Sequence, residues 1–182
     1  MITTPAIRKR ATKILENYQV NAFPVDIEKI AKNEGIRIIK GELPENISGA
    51  IDMSDPVSPC ILVNSTDGFE RQRFSIAHEL GHYFLHKPTG LHVDKDFSSI
   101  FLRNENSSMA LYPIEIEANK FAAHILMPEA LLETAIKEIL GELSQISISE
   151  LIESLKTKFL VSNSAMTYRL KNLGIIPSEY EA

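Results

Sequence analysis

The segment RQRFSIAHELGHYFLH, residues 71–86, constrains the fold of this chain more strongly than any other. Its spacing predicts a helix from about Glu70 to Lys87, which ends there because Pro88 disfavours helical angles in the residue before it. Apolar side chains fall nearly all the way round this helix, at Phe74, Ile76, Ala77, Leu80, Tyr83, Phe84 and Leu85. A helix with this pattern is buried on every side, so the rest of the chain must cover it.

Two histidines and a glutamate lie inside this apolar helix. His78 and His82 are one turn apart on one face, so both imidazoles can bind a single metal ion. Glu79 lies about 100° round the helix, too far from that face to be a third ligand but placed to accept a proton from a metal-activated water. This is the H-E-x-x-H arrangement of zinc peptidases. The alternative interpretation is a pair of hydrogen-bonded core histidines without a metal.

The third histidine of the segment, His86, is predicted to have a different role. It follows His78 by two helical turns, about 12 Å along the axis, so the two side chains cannot bind the same ion. We expect His86 to support the site from outside the ligand set or to cap the end of the helix.

A second predicted helix, YPIEIEANKFAAHILMP, offers the third protein ligand that a catalytic zinc site requires. Glu115 lies at the edge of its apolar face. Glu117 points the other way, together with Lys120 and His124. Because a buried carboxylate needs a partner and a solvated one does not, Glu115 is the predicted ligand and Glu117 is predicted to face solvent. Asn119, one turn after Glu115, can accept a hydrogen bond from a ligand imidazole.

The remaining segments predict an α+β fold. Three short runs with strand character, GIRIIKGEL, NISGAIDMS and PCILVN, predict a small antiparallel three-stranded sheet between about residues 36 and 64. Helical patterns precede and follow these runs. The polar stretch from Pro88 to Tyr112 is long for a loop in a compact domain, which is typical of a functional or mobile segment.

Composition and charge argue against several classes of protein. No apolar run reaches the roughly eighteen residues of a membrane span, and the N-terminal sequence lacks the apolar centre of a signal peptide. Cys60 is the only cysteine, so an internal disulfide and a cysteine-ligated metal cluster are both excluded. These features predict a cytoplasmic protein. A net charge of −5 disfavours a protein whose main task is to bind nucleic acid.

The segments RQRFSIAHELGHYFLH and EIEANKFAAHILMP together resemble the ImmA/IrrE family of metallo-endopeptidases. A looser likeness extends to ILVNS and VSNSAMTYRLKNLGI, so the resemblance covers most of the chain. It implies metal ligands at His78, His82 and Glu115 and a catalytic glutamate at Glu79. Members of this family are intracellular proteases that cleave a partner transcriptional repressor. The resemblance therefore also implies a helix-turn-helix repressor as the protein substrate.

A more detailed architecture can be predicted from the motifs and the resemblance together. We expect a zincin-like, gluzincin-type metalloprotease domain over residues 1–142, with the small sheet packed on a mainly helical core. Residues 143–182 are expected to form a C-terminal helical pair that packs on it. An edge strand above the helix predicted for residues 70–87 can hold substrate by strand addition. Two histidines and a carboxylate suit Zn²⁺ and also Mn²⁺. His92 and Tyr112 are the candidates for the group that stabilises the transition state.

Two other functions compete with peptide hydrolysis. The segment SELIESLKTKFLVSNSAMTYRLKNLG has the outline of a helix-turn-helix, with Tyr168 and Arg169 on its second helix. It supports a DNA-binding regulator, but the basic cluster is small and the chain is acidic, which favours helices that simply pack on the core. The other competitor is an interaction protein with a structural metal. Glu79 argues against it, because a structural site has no use for a base.

Overall fold

The computed structural model describes residues 1–93, 112–142 and 145–181. Helices and strands both occur along these residues and are largely grouped rather than alternating, an α+β arrangement that confirms the predicted class. In chain order the elements are α1 (Thr4–Asn17), α2 (Ile27–Asn33), β1 (Arg37–Gly41), β2 (Gly49–Asp52), β3 (Cys60–Asn64), α3 (Phe69–Leu85), β4 (Leu91–Val93), α4 (Tyr112–Leu126), α5 (Glu129–Glu142), α6 (Ile148–Phe159) and α7 (Asn163–Asn172). Across these ranges, no helix combines the length and the apolar character needed to span a bilayer.

The sheet differs from the sequence-based prediction in two respects. Within the described residues it has four strands in the order β1-β3-β2-β4, and β1 pairs with β3 in parallel. Only β2 runs antiparallel to its neighbours, β3 and β4. The prediction of a three-stranded, wholly antiparallel sheet over residues 36–64 is therefore wrong. Side-chain alternation along a strand does not reveal the direction of its neighbour, and the short, partly exposed β4 has no periodic signal.

Helix α3 lies in the interior, as its all-round apolar pattern predicts. Its buried residues come from every face of the helix: Arg73, Ser75, Ile76, Ala77, His78, Glu79, Leu80, Gly81, His82 and Phe84. The sheet covers one side, where β2 passes very close at Gly49. A Cβ at Gly49 would lie 3.2 Å from Glu79 Oε1 and 3.3 Å from Ser75 Cβ. Glycine at this position thus lets the sheet rest directly on the H-E-x-x-H turn.

Helices α3 and α4 pack backbone to backbone at Gly81. A Cβ on Gly81 would lie 3.0 Å from Ala118 Cα and 3.1 Å from Ala118 O, which is closer than side chains normally approach. The two small residues therefore permit an unusually close approach of the helices. The same approach brings Glu115, at the start of α4, next to the histidines of α3.

The C-terminal helices share the core with the rest of the chain. Phe159 of α6 and Leu170 of α7 are fully buried in the same apolar cluster as the residues of α3. Phe159 stacks on Phe23 with ring centroids 4.9 Å apart, and Arg73 Nε donates to the Leu160 carbonyl at 3.2 Å. The first contact connects the helical pair to the segment between α1 and α2, and the second connects it to α3. The division of the chain at residue 142 stays a prediction.

Candidate metal centre

Three polar side chains from two helices meet in the interior. His78 and His82 of α3 and Glu115 of α4 are 0%, 1% and 8% exposed. His78 Nε2 lies 2.9 Å from His82 Nε2 and 3.1 Å from Glu115 Oε2, and His82 Nε2 lies 3.3 Å from the same oxygen. The structure thus brings together the three residues that the sequence predicts as ligands.

The spacing and chemistry of these three atoms fit one divalent metal ion. Zinc bonds of about 2.0–2.2 Å at tetrahedral angles place ligand atoms about 3.4 Å apart, close to the separations observed. His78 Nδ1 donates to Asn119 Oδ1 at 3.0 Å, so the His78 Nε2 lone pair is directed at the other two atoms. Two imidazole nitrogens and a carboxylate oxygen at this distance can share one cation between them. The donor set therefore matches a cation site of mixed nitrogen and oxygen ligands.

Burial and mutual contacts set the protonation of the three groups. Burial lowers the pKa of His78 to about 4, against the opposing effect of the nearby Glu115 carboxylate. Burial also lowers the pKa of His82. For Glu115, burial alone raises the pKa, but its contacts with the imidazoles of His78, His82 and His92 outweigh it and hold the pKa far below its usual range. At neutral pH this gives neutral imidazoles and an ionised carboxylate, the forms that bind a metal.

Glu79 lies on the same helix as the histidines but outside the three-residue cluster. It is fully buried, and its Oε1 lies beneath β2 at Gly49. This position, about 100° round the helix from His78, is the one predicted for a proton acceptor. The role of Glu79 as a base stays a prediction.

Glu117 and His124 are buried, so the prediction that they face solvent is wrong. Their exposed fractions are 3% and 8%. The N-terminal segment covers this side of α4, where the backbone N–H of Ile2 donates to Glu117 Oε1. Glu117 Oε2 lies 3.0 Å from His86 Nε2, and His86 Nδ1 lies 3.1 Å from His82 Nδ1, so both residues lie beside the three-residue cluster. The sequence signal for this pairing is weak: the spacing of His82 and His86 predicts their contact, but nothing local indicates what lies opposite.

His92 lies on strand β4 rather than in an irregular loop. Its Nε2 lies 3.2 Å from Glu115 Oε1, and its ring centroid is 4.3 Å from that of His82. Strand β4 therefore brings this imidazole to the rim of the candidate metal centre. The side chain of Tyr112, the other candidate for stabilising the transition state, lies outside the described residues, as does most of the stretch from Pro88 to Tyr112.

The two residues singled out on the second helix of the C-terminal pair have opposite environments. Tyr168 is 43% exposed, whereas Arg169 is only 3% exposed. Arg169 Nε donates to the Met127 carbonyl at 3.0 Å, just after the end of α4. Because a buried guanidinium cannot contact a phosphate backbone, Arg169 cannot contribute to the basic surface that a DNA-binding helix requires.

Comparisons with known proteins address the family and the fold. The family model described as the IrrE N-terminal-like domain, Peptidase_M78, matches residues 31–171. Metallopeptidase ImmA of Bacillus subtilis (strain 168) is 24% identical over 172 residues, which cover 94% of this chain and 88% of that protein. A solved structure, a Mycobacterium tuberculosis transcriptional regulator, has a TM-score of 0.58 and 17% sequence identity. This likeness shows the fold, and it covers 91% of this chain and 46% of the regulator.

Proposed function

The chain belongs to the ImmA/IrrE family of metallopeptidases, and on this basis we propose that it is an endopeptidase that hydrolyses a peptide bond in a partner protein. One observation carries the proposal. The buried cluster of His78, His82 and Glu115 has the spacing of ligands to one metal ion, and Glu79 lies beside it on the same helix. A site with three protein ligands and an adjacent carboxylate is typical of hydrolysis rather than of a structural metal.

The proposed metal is zinc, with manganese as the alternative for the same donor set. His78 Nε2, His82 Nε2 and Glu115 Oε2 would hold it. A divalent ion bound there supplies Lewis acidity, which polarises a carbonyl group and lowers the pKa of water. Asn119 Oδ1 accepts a hydrogen bond from Nδ1–H of His78 and so keeps its Nε2 available as a ligand.

Glu79 is the proposed general base. Its carboxylate would accept a proton from the attacking water and then deliver it to the nitrogen of the leaving amine. The rigid turn of α3 fixes its position relative to the ligand pair, because Glu79 directly follows His78. Burial beneath β2 removes competing water from its surroundings. His92, at the rim of the site, is the proposed group for stabilising charge on the carbonyl oxygen.

Strand β4 is the proposed docking edge for the substrate. It is the outer strand next to β2, and β2 is its only partner among the described strands. An extended peptide can add to such an edge through backbone hydrogen bonds, which would place it beside His92 and Glu115. This requirement selects a locally unfolded segment and excludes a folded surface. By family resemblance, the proposed donor of that segment is a helix-turn-helix transcriptional repressor.

For the C-terminal pair, α6 and α7, we propose a structural role within the protease rather than DNA reading. The pair shares the apolar core with α3, and the guanidinium of Arg169 is buried against α4. A DNA-binding regulator is the less favoured alternative. It predicts DNA binding that weakens steeply with salt, because phosphate contacts release counterions.

The test of the proposed function compares two substrates, a repressor encoded near this gene and casein. Zinc-loaded wild-type protein should cut the repressor at a few positions, cut casein slowly, and lose both activities with a chelator. Glu79→Gln should retain zinc and lose about 10²–10⁴ in cleavage rate, because it lacks the base. Glu70→Gln, the same change at the exposed start of α3, is the matched control and should behave as wild type.

Three outcomes would contradict the proposal in different ways. Wild-type cleavage by Glu79→Gln would refute the assignment of the base. Rapid and indiscriminate digestion of casein would indicate a general degradative protease. Loss of repressor function without any cut would favour a protein-binding regulator.

A further inference from the structure

A chain of hydrogen bonds leads outward from the metal centre to the N-terminal segment. His82 Nδ1 lies 3.1 Å from His86 Nδ1, and His86 Nε2 lies 3.0 Å from Glu117 Oε2. The backbone N–H of Ile2 donates to the other oxygen of Glu117. His86 caps the end of α3, Glu117 lies on α4, and Ile2 precedes α1. Three separate elements therefore converge on one side of a single ligand.

The chemistry of these groups determines where each proton lies. If His82 Nε2 binds a metal ion, its ring proton is on Nδ1, which then donates to His86 Nδ1. His86 accepts at Nδ1, so it carries its own proton on Nε2 and donates that proton to Glu117. An ionised carboxylate only accepts, and Glu117 accepts from both His86 and Ile2. Each of these three hydrogen bonds thus has one donor and one acceptor.

Burial shows that this arrangement is built into the interior rather than formed at the surface. Glu117 is 3% exposed, and the side chain of His86 is 14% exposed. A carboxylate in this environment requires donors for both oxygens, and it has them. A simpler role for Glu117 would be to anchor the N-terminus to α4. That role needs only the bond from Ile2, and it leaves the contact between His86 and His82 unused.

We infer that His86 and Glu117 are positioning residues for the metal site. They hold the ring of His82 in the tautomer and orientation that present Nε2 to the ion, as Asn119 does for His78 on the other side. The inference rests on the metal-binding role proposed for His82. In this arrangement the N–H of Ile2 holds the far oxygen of Glu117 and is not needed for the contact with His86.

The test measures zinc affinity by competition with a chromophoric chelator. Glu117→Gln and His86→Gln should each weaken zinc binding about 10–100-fold, the usual effect of losing such a partner. The double variant should bind zinc almost as tightly as the weaker-binding single variant, because both changes break the same series of hydrogen bonds. Ile2→Pro removes the N–H donor but keeps the His86–Glu117 bond, so its zinc affinity should fall much less. Ile2→Val is its matched control.

A second readout follows the imidazole protons directly. Nitrogen-detected NMR of the zinc-loaded protein should show His82 protonated at Nδ1 and His86 protonated at Nε2. Glu117→Gln should shift the His86 resonances and mix its tautomers, a change that a purely structural anchor would not produce. Thermal unfolding of the metal-free variants measures their structural contribution separately. If Glu117→Gln does not fold, His86→Gln at the end of α3 carries the same test.

The outcomes separate this inference from the proposed function. Wild-type protein that binds no zinc would refute the metal site itself. Zinc binding by wild type, with unchanged affinity in Glu117→Gln and His86→Gln, would overturn the positioning role of these two residues and leave the metal site intact. Equal losses in Ile2→Pro and Glu117→Gln, confined to the melting temperature of the metal-free protein, would mean that Glu117 is only an anchor.

Discussion

Replacement of Gly81 by alanine tests whether the metal centre depends on the close packing of α3 against α4. A Cβ at this position would lie 3.0 Å from Ala118 Cα, 3.1 Å from Ala118 O and 3.3 Å from Ala118 Cβ. Non-bonded carbon atoms attract best at about 3.5–4.0 Å, so the helices must separate by roughly half an ångström. Two of the three contacts are with backbone atoms, which no change of rotamer can relieve.

Two opposing effects determine the magnitude for the metal-free protein. Within a helix, alanine is about 1 kcal/mol more favourable than glycine. Overpacking of a tight contact typically costs about 1–3 kcal/mol. We therefore expect the free energy of unfolding to fall by about 0–2 kcal/mol. Zinc affinity should fall on the order of tenfold, because α4 carries Glu115 away from the two histidines. Losing a residue that orients a metal ligand has an effect of similar size.

The assays are urea unfolding of the metal-free protein and chelator competition for zinc. Gly141→Ala is the matched control, since a Cβ at Gly141 in α5 would meet nothing within 4 Å. This control should be neutral or stabilise by up to about 1 kcal/mol, with zinc affinity unchanged. Adding Ala118→Gly to Gly81→Ala relieves only the contact between side chains, so rescue should be partial. If Gly81→Ala behaves like Gly141→Ala in both assays, the packing argument is refuted.

Three further predictions concern metal removal, the packing of Gly49 against Glu79, and the buried His124. Metal removal should lower the melting temperature in calorimetry, because an ion that binds only the folded chain stabilises it by about 2.7 kcal/mol at 100 times its Kd; an unchanged transition would contradict a folded-state site. Gly49→Ala should slow peptide cleavage more than it weakens zinc binding, since its Cβ would lie 3.2 Å from Glu79 Oε1; parallel losses in kcat and affinity would point to general distortion. His124→Gln should flatten the acid dependence of stability. Burial and three neighbouring cations lower the pKa of His124 to about 4, so the unfolded chain takes up the proton first and stability falls as the pH drops from about 6.5 towards that value. Urea unfolding at several pH values in this window checks it, and identical slopes for both proteins would show that another group is responsible.

Those parts of the candidate metal centre that lie within one helix could be predicted from the sequence. His78 and His82 share a face because an α-helix has about 3.6 residues per turn, whatever surrounds it. The same geometry relates Glu115 to Asn119 on α4. The apolar pattern round α3 likewise requires burial before any partner is known. Such statements depend on local backbone geometry, so they hold without the tertiary structure.

Contacts between distant segments were decided only by the tertiary structure. Periodicity indicates which face of α4 is apolar, but it does not show that the N-terminal segment covers the opposite face and buries Glu117. The parallel pairing of β1 with β3 and the addition of β4, with His92, depend on how the chain returns to the sheet. Arg169 could equally have faced solvent on an isolated helix, but the carbonyl of Met127 holds it inside. A polar residue becomes part of a buried site when a remote segment supplies its hydrogen-bond partner, and no local pattern encodes that partner.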